Sequence, residues 1–305
     1  MQVTDTVIMI APDHFEFNTE TAKTNTFQTP LTDQTIQQQA LSCFNHFVSL
    51  LKNHGVNVLL LKNHSQIKTP DAVFPNNWFS IQTINNQLTL ILYPMLEPNR
   101  RAERCQKQLI ELLNQQHISL EKIIDLTYYE SENKALEGTG SIVFDHDNHV
   151  LYISLSPRSD ITVLNHLIKE IDYQAVTFIS HDKTGHTIYH TNVMMSIGKK
   201  FAVICKESIS NLHEQEAIMA WLTQSGKEII TISIEQMHQM AGNILELQSQ
   251  TGDSLLVMSD RAYHAYSAEQ LQQLIQFANI IHCDLNIIET IGGGSARCML
   301  AEVFK

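Results

Sequence analysis

A near-regular repeat constrains this chain more than any other feature. From Phe74, the segment FPNNWFSIQTINNQLTLILYPMLEPNRRAERCQKQLIELL reads as strand, turn at Asn85-Asn86, strand, proline loop and amphipathic helix. The same order recurs from Leu136, with a turn between Asp145 and His149. It recurs again from His190, with a turn at Gly198-Lys199-Lys200, and from Ala241, with a turn at Thr251-Gly252-Asp253. The anchors Asn77, Glu137, His190 and Asn243 stand 60, 53 and 53 residues apart, and a further step of 55 lands on Cys298. There GGGSARCMLAEVF offers one strand. The strand it lacks is supplied by the N-terminal DTVIMIAPDHF, followed by the helix-like ALSCFNHFVSLLKNHG.

A short apolar run follows each helix: VNVLLL (56–61), KIIDL (122–126), AVTFI (175–179), EIITI (228–232) and LNIIE (285–289). Each is expected to add a third strand. Units this small cannot bury their own faces, whereas five arranged radially close a ring without a long exposed edge. The spacing therefore predicts an α/β fold: a five-bladed propeller of ββαβ units over residues 1–305 as a single domain, the fifth unit split between the two ends. Two doubly wound domains would also fit the length, but regular anchors favour the ring.

Equivalent positions of a radial repeat converge on its axis, here Asn77, Glu137, His190, Asn243 and Cys298. A thiol, an imidazole and a carboxylate in one cavity are the parts of an activated-thiolate site. An imidazole near a thiol lowers its pKa, and the thiolate is the nucleophile. Arg297, beside Cys298, is expected to face the opposite side of a strand in a structural role.

The chain carries 20 Lys and Arg against 32 Asp and Glu, a net charge of −12, which repels phosphate backbones and argues against a nucleic-acid partner. Protonating all fifteen histidines would turn −12 into +3, so charge-driven behaviour should change on mild acidification. Five cysteines without a CxxC pair, no basic-then-apolar leader and no run of apolar residues long enough to span a bilayer point to a cytoplasmic protein with no membrane partner.

HTN at 190–192, LEGTGS at 136–141, LSPRSD at 155–160, DAVFPNNW at 71–78 and GGGSARCMLAE at 292–302 resemble the guanidino-group-modifying superfamily of five-bladed α/β propellers, the penteins. Arginine deiminase, dimethylarginine dimethylaminohydrolase, succinylarginine dihydrolase and the amidinotransferases belong to that group. The likeness runs from about Asp5 to Phe304 and looks closest to a deiminase-related, citrulline-hydrolase-like branch. It implies Cys298 as nucleophile, His190 as general acid and base, and Glu137 as their carboxylate partner. Arg158 would grip the substrate's carboxylate, a bidentate task suited to guanidinium. The same SPRSD also reads as a helix cap before Ile161. Asp71 would line the pocket, and Gly292–Gly294 would let the backbone approach the substrate.

Two positions depart from the arginine deiminase pattern. Asn77 and Asn192 stand where those enzymes carry carboxylates. A guanidinium held by two amides is desolvated without charge pairing, whereas a neutral ureido group offers one acceptor and several donors that Asn can match. The expected activity is therefore cysteine-dependent hydrolysis of citrulline first and arginine next, through a covalent thio-intermediate. An amidinotransferase is the alternative, and a non-catalytic binding propeller is a minor one. A small amino-acid substrate is expected, with no cofactor and no metal. A homo-oligomer is left open.

The remaining motifs receive plainer readings. The glycine run lacks the GK[ST] of a phosphate loop. His146 and His149 are expected at a solvated hairpin tip, and His181 and His186 in a polar loop before His190. NRRAER (99–104) is expected to be a solvated helix start. Cys43, Cys105, Cys205 and Cys283 are expected to be inert.

Overall fold

A computed structural model of the chain describes residues 1–31, 33–62 and 67–305. Its strands fall into five three-stranded sheets, each built to one plan. A hairpin supplies two antiparallel strands, and a helical crossover returns the chain to lay a third strand parallel to the second. The complete units are β3 (Phe79–Ile84), β4 (Gln87–Leu92) and β5 (Lys122–Asp125); β6 (Ile142–Asp145), β7 (Val150–Ser154) and β8 (Gln174–Phe178); β9 (Met195–Ile197), β10 (Phe201–Ile204) and β11 (Glu228–Thr231); and β12 (Leu245–Gln248), β13 (Ser254–Ser259) and β14 (Asn279–Cys283). The fifth sheet joins the two ends of the chain. There β1 (Thr6–Ile10) pairs in parallel with β2 (Asn57–Leu61) and antiparallel with β15 (Ala301–Glu302). This is the five-unit α/β ring, with one unit split between the chain ends, that the repeat predicts.

Local chemistry explains the elements. Asn85 and Asn86 both take positive φ, 50° and 61°, the geometry of a two-residue hairpin turn whose twist suits the flanking strands. The crossover helix Ile36–Asn53 buries Ile36, Ala40, Phe44, Phe47, Val48 and Leu51, a stripe at helical spacing. Asp160 accepts the N–H groups of Thr162 and Val163 to start the helix Ile161–Glu170, as the SPRSD capping reading expects.

Two expectations are corrected. The third strand of the fourth unit is NIIHC (279–283), and LNIIE instead enters a helix, Asn286–Gly292. Asp284 ends the strand and accepts the Asn286 N–H through its side chain. His146 is not at a solvated tip: its ring lies against Phe144 and Phe304, with Nδ1 2.8 Å from the Tyr173 hydroxyl. His149 is exposed, as expected, and stacks on the other side of Tyr173.

The anchors lie shortly before the strands: Asn77 in the helical turn Pro75–Asn77, Glu137 and His190 capping the turns Gly138–Ser141 and Thr191–Val193, Asn243 just ahead of β12, and Cys298 in the turn Ala296–Met299. These turns pack against one another around the axis. Their closeness demands small residues. A Cβ on Gly138, at φ +47°, would stand 2.2 Å from the Asn76 carbonyl oxygen, and one on Gly242 would stand 2.3 Å from that of Val193. No helix among the described residues is long and apolar enough to cross a membrane.

Candidate active site

The axial turns bring Cys298, Asn243, Asn192, His190, Glu137 and Asn77 to one place, all of them 3% exposed or less. His190 and Glu137 meet directly: Nε2 lies 2.9 Å from Glu137 Oε2. The other Glu137 oxygen accepts the Leu96 N–H at 3.0 Å, and Arg158 Nη1 lies 3.4 Å from Oε2. Burial works against an ionised Glu137, but Arg158 and the His190 hydrogen bond outweigh it and hold the carboxyl well below the usual carboxylate range. Burial pushes His190 down to about 4, against the upward pull of Glu137, with Arg158 and Arg100 adding to the depression. At neutral pH the pair is therefore a neutral imidazole, its Nε2–H donating to a carboxylate, with Nδ1 left to exchange a proton.

Cys298 sits in the turn Ala296–Met299 rather than in a strand. Its sulfur receives Asn243 Nδ2 at 3.1 Å and Asn192 Nδ2 at 3.4 Å. Among the described residues no hydrogen bond joins it to His190, so the imidazole–thiol contact expected from the residue types is absent from this geometry. Arg297 turns away, donating to the Leu300 carbonyl at 3.0 Å and pairing with Glu302 at 2.9 Å, in keeping with a structural role.

Beyond the sulfur lies a pocket of about 10 Å³, room for roughly one water molecule, lined by Cys298, His190, Asn77, Asp71, Arg158 and Gly294 together with Asn25, Phe74, Arg100, Tyr189 and Gly292. Gly294 is closely packed: a Cβ there would lie 2.9 Å from the Phe74 ring and 3.2 Å from Cys298 Cβ. Asp71 Oδ2 accepts from Asn18 Nδ2 at 2.8 Å and Thr21 Oγ1 at 2.9 Å, while its Oδ1 has no partner. Asn77 Oδ1 accepts from Arg100 Nη1 at 3.1 Å, leaving its Nδ2 unpaired, and Asn192 Oδ1 is also unpaired. One carboxylate oxygen, one amide donor and one amide acceptor thus stay unused around the site; Asp71 and Asn77 line the pocket, whereas Asn192 does not and meets it only through its bond to the Cys298 sulfur. Buried polar atoms in that state are unusual unless water or a ligand meets them.

Three groups escaped the sequence reading. Arg100 and Glu103, from the supposedly solvated NRRAER, are 2% and 0% exposed and joined by two bonds of 2.7 and 3.0 Å. Burial pushes Glu103 up to about 7 against the Arg100 charge. The available signal was positional: Arg100, like Arg158, follows the proline loop after a unit's second strand. Asn243 was marked as an anchor without a role. The third group is the segment before the first long helix, which roofs the pocket. Arg158 donates to Thr24 Oγ1 at 3.0 and 2.7 Å and to the Thr21 carbonyl at 2.9 Å, and Gln28 donates to the Gly292 carbonyl at 3.1 Å. His181 and His186 lie outside the residues that line the pocket. Among the described residues no group of three or more His, Cys, Asp or Glu side chains is placed to hold a metal ion.

Comparison with known proteins gives a consistent picture. A family model described as N,N dimethylarginine dimethylhydrolase, eukaryotic, matches residues 11–305. No curated protein sequence matches the chain. ArgZ, a cyanobacterial arginine dihydrolase of the ornithine-ammonia cycle, superposes with a TM-score of 0.76 at 16% identity; the match covers 98% of this chain but only 40% of ArgZ. The N-terminal domain of ArgZ, solved as an asparagine-to-serine variant covalently bonded to a reaction intermediate, matches over 98% of both chains with a TM-score of 0.75 at 16% identity. A histidine-to-glycine variant of dimethylarginine dimethylaminohydrolase, an adduct with S-methyl-L-thiocitrulline, matches over 99% of this chain and 100% of its own, with a TM-score of 0.66 at 16% identity. At such identities the structural likeness speaks for the fold.

Proposed function

The chain belongs to the eukaryotic N,N-dimethylarginine dimethylhydrolase family, and we propose that it is a guanidino-modifying hydrolase of the pentein kind, which hydrolyses a free amino acid with a guanidino head group and accepts the ureido product at the same site. The observation that carries this reading is the mixed set of unpaired atoms: Asp71 Oδ1, Asn77 Nδ2 and Asn192 Oδ1. The carboxylate oxygen offers a guanidinium the charge partner that two amides alone would deny it. The amide donor and acceptor equally suit a ureido carbonyl and its N–H groups. The preference for citrulline over arginine expected from Asn77 and Asn192 is thereby softened, because Asp71 restores one charge.

In this reading the Cys298 sulfur attacks the central carbon of the head group. His190 Nδ1 takes the proton released as the sulfur bonds to that carbon, from the thiol or a head-group N–H, and passes it to the departing amine. The C–N bond breaks to leave a covalent thio-intermediate, and Nδ1 then takes a proton from the water that displaces the sulfur and releases the product. Glu137 keeps the imidazole in the tautomer that needs Nδ1 for both transfers. Arginine would yield citrulline and ammonia, and an Nω-methylated arginine would yield citrulline and the methylated amine. Citrulline would yield ornithine, ammonia and carbon dioxide. Arg158 would meet the substrate carboxylate once its bonds to Thr21 and Thr24 are released.

Mass-spectrometric product analysis tests this, with arginine, asymmetric dimethylarginine and citrulline supplied separately to the protein and to its Cys298→Ala variant. Citrulline from either guanidino substrate, with ornithine from citrulline, is the expected result, and the variant should give none. No amine acceptor is added, so turnover also excludes a strict amidinotransferase. Equal product from the variant would remove Cys298 from the mechanism, and no product from any of the three would overturn the substrate reading.

A further inference from the structure

We propose that Asn243 is a further catalytic residue, which with Asn192 forms a two-amide cradle holding the Cys298 sulfur as acceptor of two N–H donors. The inference rests on the reading of Cys298 as nucleophile and adds what readies its sulfur. Asn243 is 1% exposed and occupies in its unit the anchor that carries Glu137, His190 and Cys298 in others. Its side chain is clamped at both ends. Oδ1 accepts the Cys298 backbone N–H at 3.4 Å, while Nδ2 donates to the Asn192 carbonyl at 3.0 Å and to Cys298 Sγ at 3.1 Å. This fixes which end faces the sulfur. A backbone N–H can only donate and a backbone carbonyl can only accept, so turning the amide over would spoil both contacts.

Among the described residues nothing else near the sulfur does the same work. Arg158 is committed to Glu137 and the roof, Arg100 is held by Glu103, and His190 is neutral and bonded to Glu137. The fold therefore offers the sulfur oriented amide dipoles rather than a cation. Hydrogen bonds to an ionised acceptor are roughly twice as strong as those between neutral groups. Two such donors thus favour the thiolate over the thiol, without the charge that would repel a cationic substrate.

The test follows thiolate absorbance in the ultraviolet against pH, without substrate, in the wild type, Asn243→Ala and Asn192→Ala, each referenced to Cys298→Ser. Burial pushes Cys105, Cys205 and Cys283 up to about 12, 11 and 12, and raises Cys43 as well, and the Cys298→Ser reference subtracts their titration. Loss of one donor should raise the Cys298 midpoint by about one pH unit, about a tenfold loss of thiolate at any pH well below the wild-type midpoint. A merely structural role would lower the melting temperature and leave the midpoint in place. Unchanged midpoints in folded variants overturn the cradle. If Asn243→Ala does not fold, the Asn192→Ala midpoint decides in the same way. A wild-type midpoint below those of the variants, with no turnover of any guanidino or ureido substrate, would leave the cradle standing and remove the substrate reading.

Discussion

Glu137 shows how one side chain is made to serve several neighbours. It is fully buried, and the costs of that burial are met by Arg158, His190 and the Leu96 N–H together. Changing it to Gln removes the charge and keeps the shape. Turnover should fall by roughly 10² to 10⁴, the range for a disabled acid–base group. The pH profile should move too. Glu137 pulls the His190 pKa upward, so its loss lets burial depress the imidazole further, and the acid limb of kcat/KM should shift to lower pH. Circular dichroism must accompany the kinetics, because an unpaired Arg158 in the core costs about 3–5 kcal/mol. A folded variant with a wild-type rate and profile would remove Glu137 from the mechanism. The sequence revealed this residue, with His190 and Cys298, because radial repetition turns chain spacing into spatial convergence. Arg100 stayed hidden because an arginine three residues before a glutamate reads locally as a solvated helical pair. Only the tertiary fold, which buries both, sets it beside Asn77.

At the scale of elements, the pairing plan was legible and one boundary was not. NIIHC and LNIIE are adjacent apolar runs of strand length, and periodicity alone cannot separate a short buried strand from a helix start. Pairing with β13 decides for the first, from Leu255 opposite Asn279 to Ser259 opposite Cys283. The roofing segment left still less trace, since its contacts are hydroxyls and amides meeting partners far along the chain. Its function can be probed at Thr24, whose hydroxyl accepts two bonds from Arg158. The pocket beneath has room for roughly one water molecule, so an amino acid must displace the roof to enter. Thr24→Val keeps the shape and removes the acceptor. Hydrogen bonds to charged groups contribute about 1.5–3 kcal/mol, so opening should become at least about tenfold more frequent. Iodoacetamide should then modify Cys298 about tenfold faster at a pH where the sulfur is ionised, read on the Cys298 peptide by mass spectrometry. An unchanged rate would show that Thr24 does not hold the roof shut.

For the whole molecule, the question is what anchors the two chain ends. The repeat arithmetic showed that the fifth unit had to be split, yet it could not show what holds the seam where the two chain ends, Gln2 and Phe304, meet the hairpin of β6 and β7. His146 lies there. Its ring packs on Phe304, its backbone N–H donates to Gln2 Oε1 at 2.7 Å, and Gln2 Nε2 reaches back to the Phe144 carbonyl at 3.0 Å. Burial, then the N-terminal ammonium and Arg297, push His146 down to about 3, with Asp147 opposing and His149 adding to the depression. The sign follows from proton binding. The unfolded chain takes up this proton near pH 6.5, whereas the folded chain does so only near pH 3. In that window the unfolded state binds more protons, so the contribution of His146 to stability is complete above pH 6.5 and declines as pH falls. Glu103 works the other way, since its raised pKa adds stability as the pH drops below 7. A simple melt would mix the two, and a comparison separates them. His146→Phe keeps an aromatic ring against Phe144 and Phe304, gives up the Tyr173 bond and cannot be protonated. It should melt lower than the wild type at about pH 7, where the lost hydrogen bond dominates. Between about pH 7 and pH 5 its melting temperature should fall less than that of the wild type. Parallel loss in the two proteins would place the acid sensitivity of the ring away from this seam, with His190 and Glu137 the next groups to substitute.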